Sequence, residues 1–222
     1  MTFGIKLESV DVKFDGHTAL SGVTLNLTAK TIAVIGTNGS GKSTFARLLN
    51  GLVKPTSGSV SIDGKPASTD TTGFLFSNPD LQIVMPTVFE DVAFSLSNQK
   101  LSKDEVRARV TEALAQVGLV ELQESNCHTL SSGQKQLLAL AANIVREPNL
   151  LVADEPTTLL DLPNTKRITN LLHSLPVGQL VIVTHDLDLA ATCDEVIWFE
   201  AGKVKTVGAP EAVIASYRKH CA

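Results

Sequence analysis

Long apolar runs, paired cysteines, blocks of like charge and internal repeats are all missing from this 222-residue chain, and each absence removes a class of protein. No stretch approaches the roughly 20 apolar residues needed to cross a bilayer. The opening MTFGIKLESV also lacks the basic segment and apolar run of a secretory leader. These two absences imply a chain that stays in the cytoplasm and that, if it serves a membrane, does so as a peripheral subunit bound to another chain. The three cysteines, Cys127, Cys193 and Cys221, are odd in number, widely spaced and outside any CxxC pair, which argues against a disulfide framework or zinc site and for reduced thiols. A net charge of -4 without like-charge runs leaves no electrostatic footprint for nucleic acid.

What remains is 43% hydrophobic and 19% charged, enough to bury one sizeable core, or one core with a subdomain docked on it. Residues 1–222 therefore read as a single domain. Residues 5 to 30 alternate apolar and polar in short runs (Ile5, Leu7, Val10, Val12, Phe14; then Val23, Leu25, Leu27), which predicts an antiparallel β-layer. Thr31 to Ile35 is a β-branched run feeding a glycine-rich loop, and Lys42 to Asn50 follows with helical spacing of Phe45, Leu48 and Leu49. Gly58 to Asp63 and Gly73 to Ser77 read as short strands. From Val88 to about Leu122 the pattern is helical: Ser102 and Glu105 suit a capping box, and Val106, Val110, Ala113, Leu114 and Val117 trace one apolar face. Helix resumes from about Ser132 to Arg146 and stops before Pro148. Residues 88–148 thus form an inserted helical subdomain. Leu150 to Ala153 and Leu180 to Thr184 are buried-type strands with a helix between them. Strands alternating with helices predict an α/β fold with a parallel sheet.

The segment Gly36-Thr37-Asn38-Gly39-Ser40-Gly41-Lys42-Ser43-Thr44 satisfies GxxxxGK[ST], entered from a strand and left into a helix. Glycines let backbone N–H groups converge on phosphate oxygens, Lys42 reaches the β- and γ-phosphates, and Ser43 supplies a hydroxyl to Mg²⁺. Asn38 to Thr44 are accordingly the candidate ATP-binding residues. Such a loop alone says only nucleotide, since kinases, GTPases and motors share it. Leu150 to Ala153 runs into the adjacent carboxylates Asp154 and Glu155, the first placed for the Mg²⁺ shell and the second for orienting or deprotonating water. His185 follows another apolar strand, where a neutral imidazole can bond the γ-phosphate. Leu130-Ser131-Ser132-Gly133-Gln134 opens a long helix whose hydroxyls and N–H groups make a second anion-binding end.

This LSGGQ-like signature, lying between a phosphate loop and a strand-Asp-Glu, resembles the ATP-binding cassette (ABC) family over almost the whole chain. The resemblance implies a P-loop NTPase core, Phe14 stacking on adenine, Gln82 near Mg²⁺ and the attacking water, Asp161 in the loop that contacts a second subunit, and His185 as the switch histidine. It also implies that Ser131, Gly133 and Gln134 close over the phosphate loop of a second ABC ATPase, giving two ATP sites in a head-to-tail pair, whether of identical or merely similar chains. The chain departs from the family's habit with LSSGQ in place of LSGGQ, Phe14 in place of tyrosine, and PTTLLD after Glu155, where Leu159 and Leu160 replace a small pair. The stretches Phe76 to Gln82 and Pro86 to Phe94 resemble ATPases of energy-coupling-factor importers for vitamins and for cobalt or nickel, with Ser77 and Leu81 standing where that consensus has a glutamine and an acidic residue. That resemblance implies an integral membrane partner, docked near Leu81, Ile83, Val84 and Met85, and a place on the cytoplasmic face of the cell membrane. A soluble ABC mechanoenzyme and a P-loop kinase are the competing classes; the kinase leaves the signature and His185 unexplained.

Overall fold

The computed structural model describes residues 4–158 and 160–221. Two sheets lie on either side of one core. The first is antiparallel, ordered β2-β1-β4-β5, from β1 (Ile5–Phe14), β2 (His17–Leu27), β4 (Ser57–Ile62) and β5 (Lys65–Pro66). The β1–β2 turn is the two-residue Asp15-Gly16, both at positive φ, which pairs Phe14 with His17. The second sheet is ordered β10-β9-β3-β8-β7-β6, from β3 (Thr31–Ile35), β6 (Thr72–Leu75), β7 (Leu150–Asp154), β8 (Gln179–Val183), β9 (Glu195–Glu200) and β10 (Lys203–Gly208). Its first-to-last neighbours pair in parallel except β10 with β9.

The central strands β3, β7 and β8 are buried at every position, and apolar except at Thr31, Asp154 and Gln179, because both faces are covered. Ile32, Val34, Leu150, Val152, Val181 and Val183 face the core shared with the antiparallel sheet and α1 (Lys42–Leu49). Ala33, Ile35, Leu151, Ala153, Leu180 and Ile182 face the opposite core, shared with the helices. That second core continues without a break into α2 (Val88–Phe94), α3 (Lys103–Val117) and α4 (Ser132–Ile144). α5 (Leu162–Ser174), α6 (Leu187–Ala190) and α7 (Pro210–Cys221) complete the fold.

The helical stretch expected from Val88 to about Leu122 is broken. α2 stops at Phe94, and Ser95, Ser97 and Asn98, which compete locally with the backbone, lead through turns to the Ser102–Glu105 capping box of α3. Gly118, in the left-handed region, ends α3, leaving only a 3-10 turn at Val120–Leu122. α4 ends two residues before the expected Arg146. β9, β10 and α7 lie beyond the expected elements. β9, Glu-Val-Ile-Trp-Phe-Glu, carries the β-branched and aromatic residues of a strand, and it takes the central sheet one strand further beside β3.

Asp91, 3% exposed, accepts from the N–H groups of Val84 (2.8 Å) and Met85 (3.0 Å), pinning the loop ahead of α2. Burial pushes its carboxyl above the usual range, while those two bonds pull it back. Asp91→Ala orphans both donors and is expected to cost about 2 kcal/mol, seen as a lower urea midpoint at unchanged slope.

Candidate functional site

β3, β7 and β8 are adjacent parallel strands, so their C-terminal ends deliver three polar segments to one place. From β3 comes the phosphate loop. Gly36 (φ 149°) and Gly41 (φ 102°) hold it in conformations an L side chain rarely adopts. A Cβ on Gly36 would strike the Phe199 carbonyl, and one on Gly41 would sit 2.8 Å from both the Ala19 carbonyl oxygen and Leu20. The loop is therefore pressed between β9 and β2. At the mid-loop Gly39 nothing lies within 4 Å of a Cβ position. That side is open to a ligand.

Lys42, 8% exposed, donates to the carbonyls of Gly36 and Thr37, both at 2.9 Å. Burial pushes its ammonium pKa down, opposed by the charges of Glu155 and Asp154. From β7 comes Asp154, 7% exposed, whose Oδ1 accepts from the Ser43 hydroxyl at 3.3 Å. Burial pushes this carboxyl up, opposed first by that bond. Glu155 follows at φ 54°, a strained backbone for a side chain of its size. Its N–H donates to the Val183 carbonyl of β8 at 2.8 Å, which fixes the turn. From β8 comes His185, whose Nδ1 lies 2.7 Å from Glu155 Oε2. A carboxylate only accepts, so Nδ1 carries the hydrogen and Nε2 is left for another partner.

The cleft in front of the loop, about 550 Å³, is lined by Asn38 to Thr44, Glu155, Phe14, His17 and Ala19. Phe14 stands at the hairpin tip, 47% exposed, on the cleft's rim. His17 and Ala19 were not among the expected residues; the Asp15-Gly16 turn is the signal that returns β2 to the cleft. The residues fit a nucleoside triphosphate with Mg²⁺. The loop supplies open backbone and an ammonium, the buried Ser40 hydroxyl has no hydrogen-bond partner among the described residues, and Ser43 with Asp154 offers hard oxygens. Among the described residues no group of three His, Cys, Asp or Glu side chains could hold a metal ion alone.

Five expected residues, Gln82, Ser131, Gly133, Gln134 and Asp161, do not line this cleft. Gln82 has both ends of its amide on backbone: Oε1 accepts from Phe76 N–H (2.9 Å) and Nε2 donates to the Phe74 carbonyl (2.8 Å). Gln82 instead lines a second groove of about 650 Å³ with Val84, Asp91, Phe94 and Arg146. Ser131 and Gln134 form a reciprocal capping box at the start of α4 (Gln134 N–H to Ser131 Oγ 3.3 Å; Ser131 N–H to Gln134 Oε1 2.9 Å). They do not line the phosphate cleft of their own chain. Gly133 is buried against Asn164, whereas Ser132 is exposed, so the serine that departs from the family's signature sits at the tolerant position and glycine at the crowded one. Asp161 caps α5 by accepting from Asn164 N–H at 3.0 Å. Leu159, one of the two leucines singled out in the sequence, lies outside the described residues; Leu160 packs against the helical core.

Residues 20–158 match the family model described as ABC transporter. A biotin transport ATP-binding protein, BioM, of Rhizobium etli is 42% identical over 220 residues, which span 97% of this chain and 98% of that one. An energy-coupling factor transporter ATP-binding protein, EcfA1, of Latilactobacillus sakei is 38% identical over 208 residues, 89% of this chain and 74% of that one. Among solved structures, cbiO1 from Clostridium perfringens, part of the ABC transporter complex cbiONQ, matches with a TM-score of 0.89 at 35% identity, covering 98% of this chain and 92% of that one.

Proposed function

The chain belongs to the ABC transporter family, and on that premise we propose that it is the ATP-hydrolysing motor subunit of an energy-coupling-factor-type importer for a micronutrient, either a vitamin such as biotin or a cobalt or nickel ion. The single observation that carries hydrolysis is the convergence of Lys42, the Ser43–Asp154 pair and the Glu155–His185 pair at the ends of three adjacent parallel strands. The importer class is supported by the relatives whose names speak of biotin transport and energy coupling and by the neighbour that is part of cbiONQ.

In this reading Phe14 stacks on adenine, and Asn38 to Thr44 wrap the phosphates with backbone N–H groups. Lys42 exchanges its loop carbonyls for β- and γ-phosphate oxygens, so its charge meets the charge that spreads in the transition state. Ser43, Asp154 and Gln82 would hold Mg²⁺, which when bound would draw charge off the phosphates. Gln82 reaches it only by leaving Phe74 and Phe76. Glu155 takes the proton of the attacking water through its remaining oxygen, and His185, steadied by Glu155, offers Nε2 to the γ-phosphate. The arrangement needs no acceptor other than water, which separates it from a kinase.

The second half of the site comes from another ATPase. Ser131, Gly133 and Gln134, which do not line their own cleft, close on the partner's nucleotide, with Asp161 at the same junction. ATP then favours the closed pair because its phosphates touch both chains, and hydrolysis removes that preference. Among the described residues no helix is long and apolar enough to cross a membrane. Membrane attachment falls to an integral partner, which places this chain peripherally on the cytoplasmic face. The groove beside Gln82 is its dock: Val84 (62%) and Phe94 (53%) are exposed on its lining and Leu81 (71%) is exposed next to Gln82 in the chain, while Ile83 packs inward. A helix of the membrane partner seated in it would feel Gln82 shift. A soluble mechanoenzyme gains no support; the longest helix in the described insertion is the 15-residue α3, far short of a coiled-coil arm.

Leu81→Asp with Val84→Asp is expected to abolish co-purification of the polytopic membrane protein and cellular uptake of radiolabelled biotin or cobalt, while acceptor-free ATP hydrolysis by the purified chain continues. Retained co-purification would refute the dock.

A further inference from the structure

Helix α5 meets the helical part of the chain through two side chains one turn apart, Asn164 and Arg167, and each enters space that a glycine leaves open. Three terminal atoms of Asn164 lie 2.8 to 3.1 Å from where a Cβ on Gly133 would stand, so α4 approaches this close only because that residue is glycine. Arg167 Nη2 lies 2.6 Å from the Cβ position of Gly118 and donates to the Val117 carbonyl at 2.9 Å. A guanidinium there satisfies an orphan carbonyl and complements the negative end of α3. Residues three apart on a helix share a face. One face of α5 therefore holds the N-terminus of α4 and the C-terminus of α3 together.

Asn164 also works in the other direction. Its Nδ2 donates to Asp161 Oδ1 at 2.7 Å, and its backbone N–H donates to the same oxygen at 3.0 Å. The side chain thus spans from the start of α4, where Ser131 and Gln134 sit, to the aspartate that begins α5. Neither Asn164 nor Arg167 lines the phosphate cleft. Neither has a place in the chemistry just described.

We propose that Asn164 and Arg167 are positioning residues for hydrolysis: they fix the signature end of α4 relative to Asp161, so that both meet the partner's nucleotide in one registered surface. The proposal rests on the reading that Ser131, Gly133 and Gln134 act on a partner's ATP. Registration matters because displacement of a reacting constellation by about 1 Å can cost on the order of 100-fold in rate. Small openings of the α3–α4 pair away from α5 would do this without touching the chain's own nucleotide cleft.

The test compares wild type, N164A, R167A, R167K and S131R for mant-ATP affinity, melting temperature and Mg-ATP turnover. N164A and R167A are expected to bind mant-ATP within about twofold of wild type and to lose about tenfold in kcat, while R167K, which keeps a donor for the Val117 carbonyl, recovers most of it. A second readout uses the Glu155→Gln background, where ATP-driven pairing seen by light scattering weakens with either alanine. Unchanged kcat and pairing in both alanine variants, with S131R inactive, overturns the positioning role alone. Full activity of S131R overturns the composite site beneath it. A parallel fall of kcat, mant-ATP affinity and melting temperature, unrescued by R167K, would mean general loosening of the fold and also overturns the proposal.

Discussion

Glu155→Gln keeps mant-ATP affinity within about twofold of wild type and lowers steady-state turnover by about 10³-fold. The amide keeps the size of the carboxylate and an oxygen to accept the His185 Nδ1 hydrogen. The strained turn at φ 54° and the Glu155 N–H bond to Val183 belong to the backbone and survive. What is lost is the acceptor for a water proton. A variant that binds but does not turn over, and that accumulates as an ATP-bound pair in light scattering, is the outcome that assigns the base. Steady-state hydrolysis at the wild-type rate would remove Glu155 from that role. His185→Ala is a useful companion because it frees one Glu155 oxygen while leaving the carboxylate, so a smaller loss is expected there.

Lys42→Ala weakens ATP binding by about 30-fold, equivalent to about 2 kcal/mol for a charge-assisted hydrogen bond, and brings turnover to the assay floor. Lys42 is nearly buried, and its ammonium is held by two loop carbonyls beside Asp154 and Glu155. Removing it leaves those carboxylates with less compensating positive charge where a polyanion must enter, so like-charge repulsion adds to the lost bond. Isothermal titration measures the affinity and phosphate release the rate. ATP affinity unchanged in this variant would show that the loop binds its ligand through backbone alone. Lys42→Arg does not rescue, because a planar guanidinium cannot replace a compact ammonium in a pocket already filled by the loop's own carbonyls.

Much of the site is local in sequence and was legible there. The loop from Gly36 to Thr44 is a contiguous strand-loop-helix unit, and its demands on backbone conformation are met by the residues themselves, as the positive φ at Gly36, Gly39 and Gly41 shows. The Asp154-Glu155 pair and His185 were legible for a similar reason: an apolar run that ends in a charge marks a strand end. The elements that escaped notice depend on distant partners. β9 and β10 carry no site residue to draw the eye, yet β9 supplies the Phe199 carbonyl that makes Gly36 obligatory. His17 reaches the cleft only because a two-residue turn folds β2 back on β1. The Asn164 and Arg167 contacts join residues that stand 31 and 50 positions apart in the chain from Gly133 and Val117.

Gln82 marks the boundary between the two kinds of information. The family resemblance implies a place near the metal, while the structure ties its amide to Phe74 and Phe76 and sets it on the groove between α2 and the end of α4. By itself the sequence determined the phosphate chemistry, the α/β layering and the family, because glycine conformation, β-branched runs and helix caps act over a few neighbouring residues. The tertiary structure alone decided that Glu155 grips His185, that the Ser131–Gln134 end of α4 stands outside its own cleft, and that α5 clasps Gly118 at the end of α3 and Gly133 at the start of α4. Those outcomes depend on which strands become neighbours in the sheet and how closely helices approach, and such distances are set by the packing of the whole core.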